Sequence, residues 1–174
     1  MSVYLPLNKS KKDYFSGSTC SIINYGEGMI TDIVISKAKA AVLKLTSQGV
    51  TDFLFGKRSE FSFLCYKEIC FSQKSAARPS TTLISGVGSK HLHEADNEAY
   101  HTTFYDNVLF FADEINLERA PDHKRDQRMI DLSDYCIFNF DEGSPSTPAE
   151  TIKAYEYACK NRKMIINLGK GFTM

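Results

Sequence analysis

Short apolar runs alternate along the chain with longer segments whose apolar residues recur three or four positions apart. Runs rich in β-branched and aromatic residues predict strands, and the longer periodic segments predict amphipathic helices. The predicted strands are 19–25, 50–55, 81–85, 107–111, 135–140 and 163–168, and the predicted helices are 29–48, 59–73, 123–134 and about 147–161.

The alternation of strands and helices predicts a single α/β domain over residues 19–174. Its strands read as nearly continuous apolar runs, which is typical of an open, mainly parallel sheet covered by helices on both faces. Residues 1–18 are polar and predict an irregular N-terminal arm. Residues 86–104 show no periodic pattern and predict an exposed loop or lid.

Two helix boundaries carry recognisable signals. Gly49 directly follows the helix predicted at 29–48, as a C-terminal cap does. Thr147 is predicted to cap the last helix, Pro148 to take its first position and Glu150 to complete a capping box. The strands before and after this helix are predicted to be parallel neighbours, because one helix connects them.

The charge balance argues against a polyanionic partner. Lys plus Arg and Asp plus Glu number 21 each, so the net charge is zero, and neither nucleic acid nor a membrane surface is expected as a partner. No apolar run approaches the roughly 18 residues of a membrane span, and the first six residues lack the features of a signal peptide. Five cysteines without a CxxC pattern predict reduced, mostly buried thiols in a cytoplasmic protein.

The histidines do not indicate a metal site. His91, His93 and His101 are separated by two and eight positions in a polar segment, a spacing that matches no common zinc site. We therefore predict neither a bound metal nor a cofactor.

Polar clusters follow three of the predicted strands, at the turn containing Gly26, at residues 56–60 and at residues 143–150. The carboxyl ends of parallel strands meet at one edge of a sheet. The three clusters are therefore predicted to form the walls of one ligand pocket.

The cluster at 56–60 contains residue types that bind phosphate. Gly56 lets the backbone approach a phosphate, and Lys57 or Arg58 can neutralise its charge. Ser59 can donate a hydrogen bond, and Glu60 completes the candidate set. The alternative interpretation is an ordinary turn that caps the following helix.

Arg125 and Arg128 lie in the short polar helix ahead of the strand at 135–140. If this helix leans over the sheet edge, Arg125 points toward the loop at 143–150; the alternative is a solvated basic face. Glu150 also has two interpretations, as a helix cap or as a carboxylate beside a ribose or glycosidic bond.

Three segments of the chain match motifs of a known family: residues 49–61 (GVTDFLFGKRSEF), 125–135 (RDQRMIDLSDY) and 154–158 (AYEYA). They resemble the YpsA-like branch of the SLOG superfamily, the Rossmann-like group that contains the Smf/DprA and LOG proteins. The likeness extends over about residues 20–168. The resemblance implies a Rossmann-like domain, a nucleotide-like small-molecule ligand and a homodimer.

The chain also resembles, in part, the LOG-type nucleotide phosphoribohydrolases. Their motifs of an Arg before a Met and a Gly-rich loop ending in Thr and Glu are matched at Arg125, Met129, Gly143, Thr147 and Glu150. The resemblance implies that this loop holds the ligand.

The loop at 143–150 can be aligned with the phosphate loop of these families in two registers, and the sequence leaves both open. In the first, Gly143, Ser146 and Thr147 bind the ligand. In the YpsA-like register, Thr151 takes the place of Thr147 as the phosphate-loop residue.

These observations favour binding of a nucleotide or nucleotide-derived small molecule by a sensor or regulatory domain. The alternative is an enzyme that hydrolyses the N-glycosidic bond of a nucleoside 5′-monophosphate. In that case Arg125 would bind phosphate or assist the leaving base, and Glu150 would stabilise the cationic sugar or position water. A further alternative is a protein-interaction module with a degenerate pocket.

Overall fold

A sheet of seven parallel strands forms the centre of the computed structural model, which describes residues 3–4, 10–24, 30–71, 78–94 and 104–169. The strand order across the sheet is β1-β5-β4-β3-β2-β6-β7. The strands are β1 Val3–Tyr4, β2 Ser18–Ile23, β3 Val50–Phe55, β4 Ser80–Ser85, β5 Asn107–Phe110, β6 Tyr135–Phe138 and β7 Met164–Asn167.

Helices connect these strands and cover both faces of the sheet. They are α1 Lys11–Tyr14, α2 Asp32–Ser47, α3 Glu60–Phe71, α4 Phe111–Glu114, α5 Asp122–Asp131 and α6 Ala149–Lys160, with a short 3-10 helix at Ser89–Glu94. The predicted α/β architecture, a single Rossmann-like domain with an open parallel sheet, is confirmed.

Alternate side chains of the central strands enter two separate cores. Phe53 and Phe55 of β3 pack with α2 and α3 on one face, whereas Leu54 packs with residues of α4, α5 and α6 on the other. This alternation follows from the two-residue period of a strand. It explains why β2 and β4 are buried at five of their six positions although both strands contain several Ser and Thr residues.

The chain reverses its direction across the sheet beside β2. From β2 it moves outward through β3, β4 and β5, and then returns to place β6 and β7 on the other side of β2. In open α/β sheets, ligands bind beyond the carboxyl ends of the strands near such a reversal. The predicted neighbours β6 and β7 do pair in parallel, with Tyr135 opposite Met164 and Phe138 opposite Asn167.

Residues 1–18 were predicted to be irregular, and this prediction is wrong for two short stretches. Val3–Tyr4 extends the sheet by pairing with β5, and Lys11–Tyr14 forms one helical turn. The carboxylate of Asp13 accepts hydrogen bonds from the backbone N–H and hydroxyl of Ser10 at 2.8 and 2.7 Å, and Lys11 pairs with Asp134. Elements of two and four residues are too short to show a hydrophobic period in the sequence. Their stability depends on contacts such as these.

The start of α6 also differs in detail. Pro148 is extended and precedes the helix, which begins at Ala149, and no side chain caps the helix. The hydroxyl of Thr147 instead donates to the carbonyl of Asp141 at 3.1 Å. The predicted capping box of Thr147 and Glu150 is therefore wrong. Gly49 does follow α2 with a φ of 94°, as expected for a residue that ends a helix.

The segment predicted as an exposed loop begins with buried structure. Val87 is buried and pairs with Arg119 in an isolated antiparallel bridge. Gly88 donates from its backbone N–H to the carbonyl of Glu118 at 2.8 Å. Residues 95–103 lie outside the described part of the chain. Among the described helices, none is long and apolar enough to cross a membrane.

Candidate functional site

A cleft of about 400 Å³ lies at the carboxyl ends of β3 and β4. Its charged wall consists of Lys57, Arg58, Arg119 and Arg125, with Asp122 as the acidic member. The remaining lining is provided by Gly56, Leu83, Ile84, Ser85, Gly86 and Tyr105. The lining thus combines four cationic side chains with apolar and aromatic ones.

Arg125 is the buried cation of this wall, with 6% of its surface exposed. Its Nε and Nη2 atoms both donate to Oδ1 of Asp126 at 3.0 Å. Its Nη1 atom donates to Oδ1 of Asp122 at 3.0 Å. A buried guanidinium requires such partners because its desolvation is otherwise strongly unfavourable. Two carboxylates therefore fix the position of the guanidinium at the sheet edge.

Gly56 makes room for this arginine. A Cβ atom at position 56 would lie 2.8 Å from Nε of Arg125 and 2.8 Å from Sδ of Met129. A Cβ atom at position 86 would lie 3.6 Å from Nη1 of the same side chain, which is ordinary van der Waals contact. The sequence predicts that Gly56 admits a phosphate, whereas the structure gives it the additional role of admitting α5 to the end of β3.

Lys57 and Arg58 are exposed at the rim of the cleft, directly after β3. The Nζ atom of Lys57 lies 3.6 Å from Oδ2 of Asp122, so Asp122 is shared by Lys57 and Arg125. The lining therefore contains four cationic side chains and one carboxylate. This excess of positive charge favours an anionic ligand.

Asp126, which accepts two hydrogen bonds from Arg125, is 3% exposed. Burial raises the pKa of its carboxyl to about 7, because the charged form loses its hydration. The charge on this carboxyl, and with it the field at Arg125, is therefore sensitive to pH near neutrality.

Ser59 and Glu60 start α3 and are not part of the cleft lining in the described structure. The Ser59 hydroxyl accepts a hydrogen bond from the N–H of Ser62 at 3.0 Å, and the N–H of Ser59 donates to the hydroxyl of Ser62 at 2.8 Å. Glu60 is exposed. Ser59 therefore caps α3, as the alternative interpretation of this segment expected. Gly56, Lys57 and Arg58 line the cleft instead.

Arg128 is held away from the cleft lining by an acidic partner. Its Nε and Nη2 atoms donate to the carboxylate of Glu114 at 3.0 and 3.3 Å. The hydroxyl of Tyr14 donates to the same carboxylate at 2.9 Å. Since the Glu114 side chain is 4% exposed, this network joins α1, α4 and α5 within the fold.

The loop between β6 and α6 contributes none of the residues that line the described cleft. Gly143 has a φ of 74°, and the N–H of Ser146 donates to the hydroxyl of Ser144 at 3.3 Å. Glu150 is exposed on α6. The structure thus does not bring Glu150 into the cleft with Arg125, and Gly26 lies outside the described residues.

Thr151 differs from Thr147 in its hydrogen bonding. It is fully buried in the first turn of α6, and its hydroxyl has no hydrogen-bond partner. The hydroxyl of Thr147 is already bonded to Asp141. Buried hydroxyls are nearly always paired, but the Thr151 hydroxyl is inaccessible from the surface. The structure therefore does not decide between the two registers.

Sequence reasoning missed Tyr105, Arg119 and Asp122. Asp122 precedes Arg125 by three positions, and this helical spacing was a usable signal for an ion pair. Tyr105 and Arg119 carry no comparable signal. Arg119 reaches the cleft because its segment pairs with Val87, a contact between distant parts of the chain.

Among the described residues, no group of three His, Cys, Asp or Glu side chains is placed to hold a metal ion. The side chain of His93 and the whole of His101 lie outside the described structure.

No model of a known protein family matches this chain, and no curated protein matches it. The resemblance to the SLOG superfamily therefore stays a prediction.

The stability of the fold should depend on pH through Asp126. The folded-state pKa is about 7 and the ordinary value is 3.8, so between these values the folded chain binds more protons than the unfolded chain. The free energy of unfolding should then fall as pH rises from about 4 to about 7. Asp126→Asn should flatten this profile in urea titrations, whereas Glu156→Gln, which alters an exposed carboxylate on α6, should leave it unchanged. An unaltered profile in Asp126→Asn would contradict the assignment.

Arg128 should contribute to stability rather than to ligand binding. Arg128→Met leaves the buried Glu114 carboxylate without its guanidinium, so we expect a loss of about 3 kcal/mol in the free energy of unfolding. The double variant Glu114→Gln/Arg128→Met should recover much of this loss, because it removes both charges. Urea titration measures the effect. If Arg128→Met were as stable as the wild type, the buried ion pair would lack the role assigned to it.

Proposed function

We propose that this chain binds a nucleotide or nucleotide-derived small molecule in the cleft beyond β3 and β4, as a sensor or regulatory domain. The observation that carries the proposal is the cationic wall formed by Lys57, Arg58, Arg119 and Arg125. Phosphate groups are recognised by such convergent, charged hydrogen-bond donors. The cleft volume of about 400 Å³ lies within the range of small-molecule sites.

The fixed guanidinium of Arg125 supports binding of a compact anion. Asp122 and Asp126 hold this side chain before a ligand arrives, so little conformational entropy is lost on binding. Lys57 and Arg58, at the rim, add charge that attracts an anion over a longer distance. A phosphate group at Arg125 is therefore the arrangement that these charges favour.

The carboxylates near Arg125 favour binding over hydrolysis. Asp122, the acidic residue of the cleft lining, is engaged by Lys57 and Arg125, and Glu150 is exposed outside that lining. A glycosidic hydrolase needs a carboxylate positioned at the sugar. We therefore place the hydrolase second and make it an outcome of the binding experiment.

Calorimetric titration with the four common nucleoside 5′-monophosphates and their cyclic forms tests the proposal. Lys57→Ala and Arg58→Ala should each weaken binding by about 1 kcal/mol, or roughly 5-fold, because each removes one cation from the wall. Raising the ionic strength should weaken binding further. Lys44→Ala is the matched control, since Lys44 is exposed on α2 and outside the lining.

Absence of binding to every nucleotide, or equal loss of affinity in Lys44→Ala, would contradict the proposal. Chromatography of the same mixtures over several hours measures free base. Release of base that Glu150→Gln abolishes would replace the sensor with the phosphoribohydrolase.

A further inference from the structure

The apolar part of the cleft wall is built around Tyr105. Leu83 of β4 lines the cleft beside it and belongs to the same small apolar cluster. The Tyr105 ring lies 5.3 Å from the ring of Phe55 and 5.5 Å from that of Tyr66, measured between centroids. These separations are typical of packed aromatic pairs. The ring is therefore held in place by two neighbours from different elements.

The backbone beside Tyr105 is fixed as well. The hydroxyl of Tyr66 in α3 donates to the carbonyl of Phe104 at 2.7 Å. On the other side, the carboxylate of Asp106 accepts a hydrogen bond from the N–H of Thr81 at 2.9 Å and pairs with Arg78 at 2.7 Å. Tyr105 thus lies between two anchored residues, which makes it a preformed wall for a ligand.

The electrostatic surroundings of Tyr105 connect it with the cationic wall. Burial raises the pKa of its phenol to about 12, and the nearby charge of Arg58 acts in the opposite direction. The hydroxyl is therefore neutral at physiological pH. An uncharged aromatic ring and a guanidinium consequently border the same small cleft.

We infer that Tyr105 determines specificity by packing against the planar base of the ligand while the cationic wall binds its phosphate. This inference rests on the proposed function and narrows its ligand class to phosphates that carry an aromatic ring. Aromatic side chains bind bases of any type through their π-faces, and a guanidinium can also stack on a planar ring. Sugar phosphates and inorganic phosphate would satisfy the cations but leave the apolar wall uncovered.

The experiment compares adenosine 5′-monophosphate with ribose 5-phosphate, which has the same phosphate and sugar but no base. The wild type should bind the nucleotide roughly 10- to 100-fold more tightly, the range expected for one base–aromatic contact. Tyr105→Leu should remove most of this difference and leave the affinity for ribose 5-phosphate unchanged. Tyr105→Phe should behave like the wild type, since the ring is retained.

Phe63→Leu is the matched control. Phe63 is an aromatic residue of α3 that is 47% exposed, and its ring packs against that of Tyr66 without lining the cleft. Its replacement should change neither affinity. Because Tyr105 also packs in the core, thermal melting of Tyr105→Leu is measured in parallel, and retained binding of ribose 5-phosphate shows that the cleft is intact.

Four results would overturn the inference. Equal affinity of the wild type for both probes would show that the base makes no contact, while binding of phosphate compounds would still support the proposed function. An unchanged preference for the nucleotide in Tyr105→Leu would place the base elsewhere. Equal weakening of both probes in Tyr105→Leu would assign Tyr105 a role in shaping the cleft alone. If the wild type bound neither these probes nor any of the other nucleotides, the proposed function itself would fail, and the inference with it.

Discussion

The close approach of α5 to the carboxyl end of β3 is the constraint on which the cleft depends. Position 56 has no side chain, and a Cβ there would lie 2.8 Å from side-chain atoms of both Arg125 and Met129, which would have to shift. The approach buries a guanidinium at the sheet edge, where its N–H groups require hydrogen-bond acceptors. The carboxyl groups of Asp126 and Asp122 supply them. One glycine, one arginine and two aspartates therefore set the position of the buried guanidinium in the cationic wall.

The carboxyl edge of the sheet has two regions that differ in their charged side chains. Beyond β3 and β4, charged side chains and Tyr105 enclose a cleft. Beyond β6, the hydroxyls of Ser144 and Thr147 are bonded within their own loop, and the hydroxyl of Thr151 is unsatisfied. A phosphate is better matched by the first region, because charged donors are present and already oriented there.

The sheet and its main helices could be predicted because their apolar periodicity is strong, and β3 was predicted to the residue. The site could be predicted only in part. Gly56, Lys57, Arg58 and Arg125 follow from their position after a strand or in the polar helix. Periodicity could not predict that Arg125 and Asp126 would join Met129 and Ile130 on the buried face of α5, because two charged residues are buried there as an ion pair. Tyr105 and Arg119 depend on contacts between distant segments, and such contacts leave no local pattern.

The most direct test of the account is a crystal structure of the protein with adenosine 5′-monophosphate. The account predicts the phosphate oxygens within hydrogen-bond distance of Arg125 and at least one of Lys57, Arg58 and Arg119, about 2.7–3.2 Å from the donor nitrogen. Gly56 should adjoin the ligand, and α5 should keep its position. A phosphate bound at the loop after β6, with no contact to these four cations, would contradict the central claim.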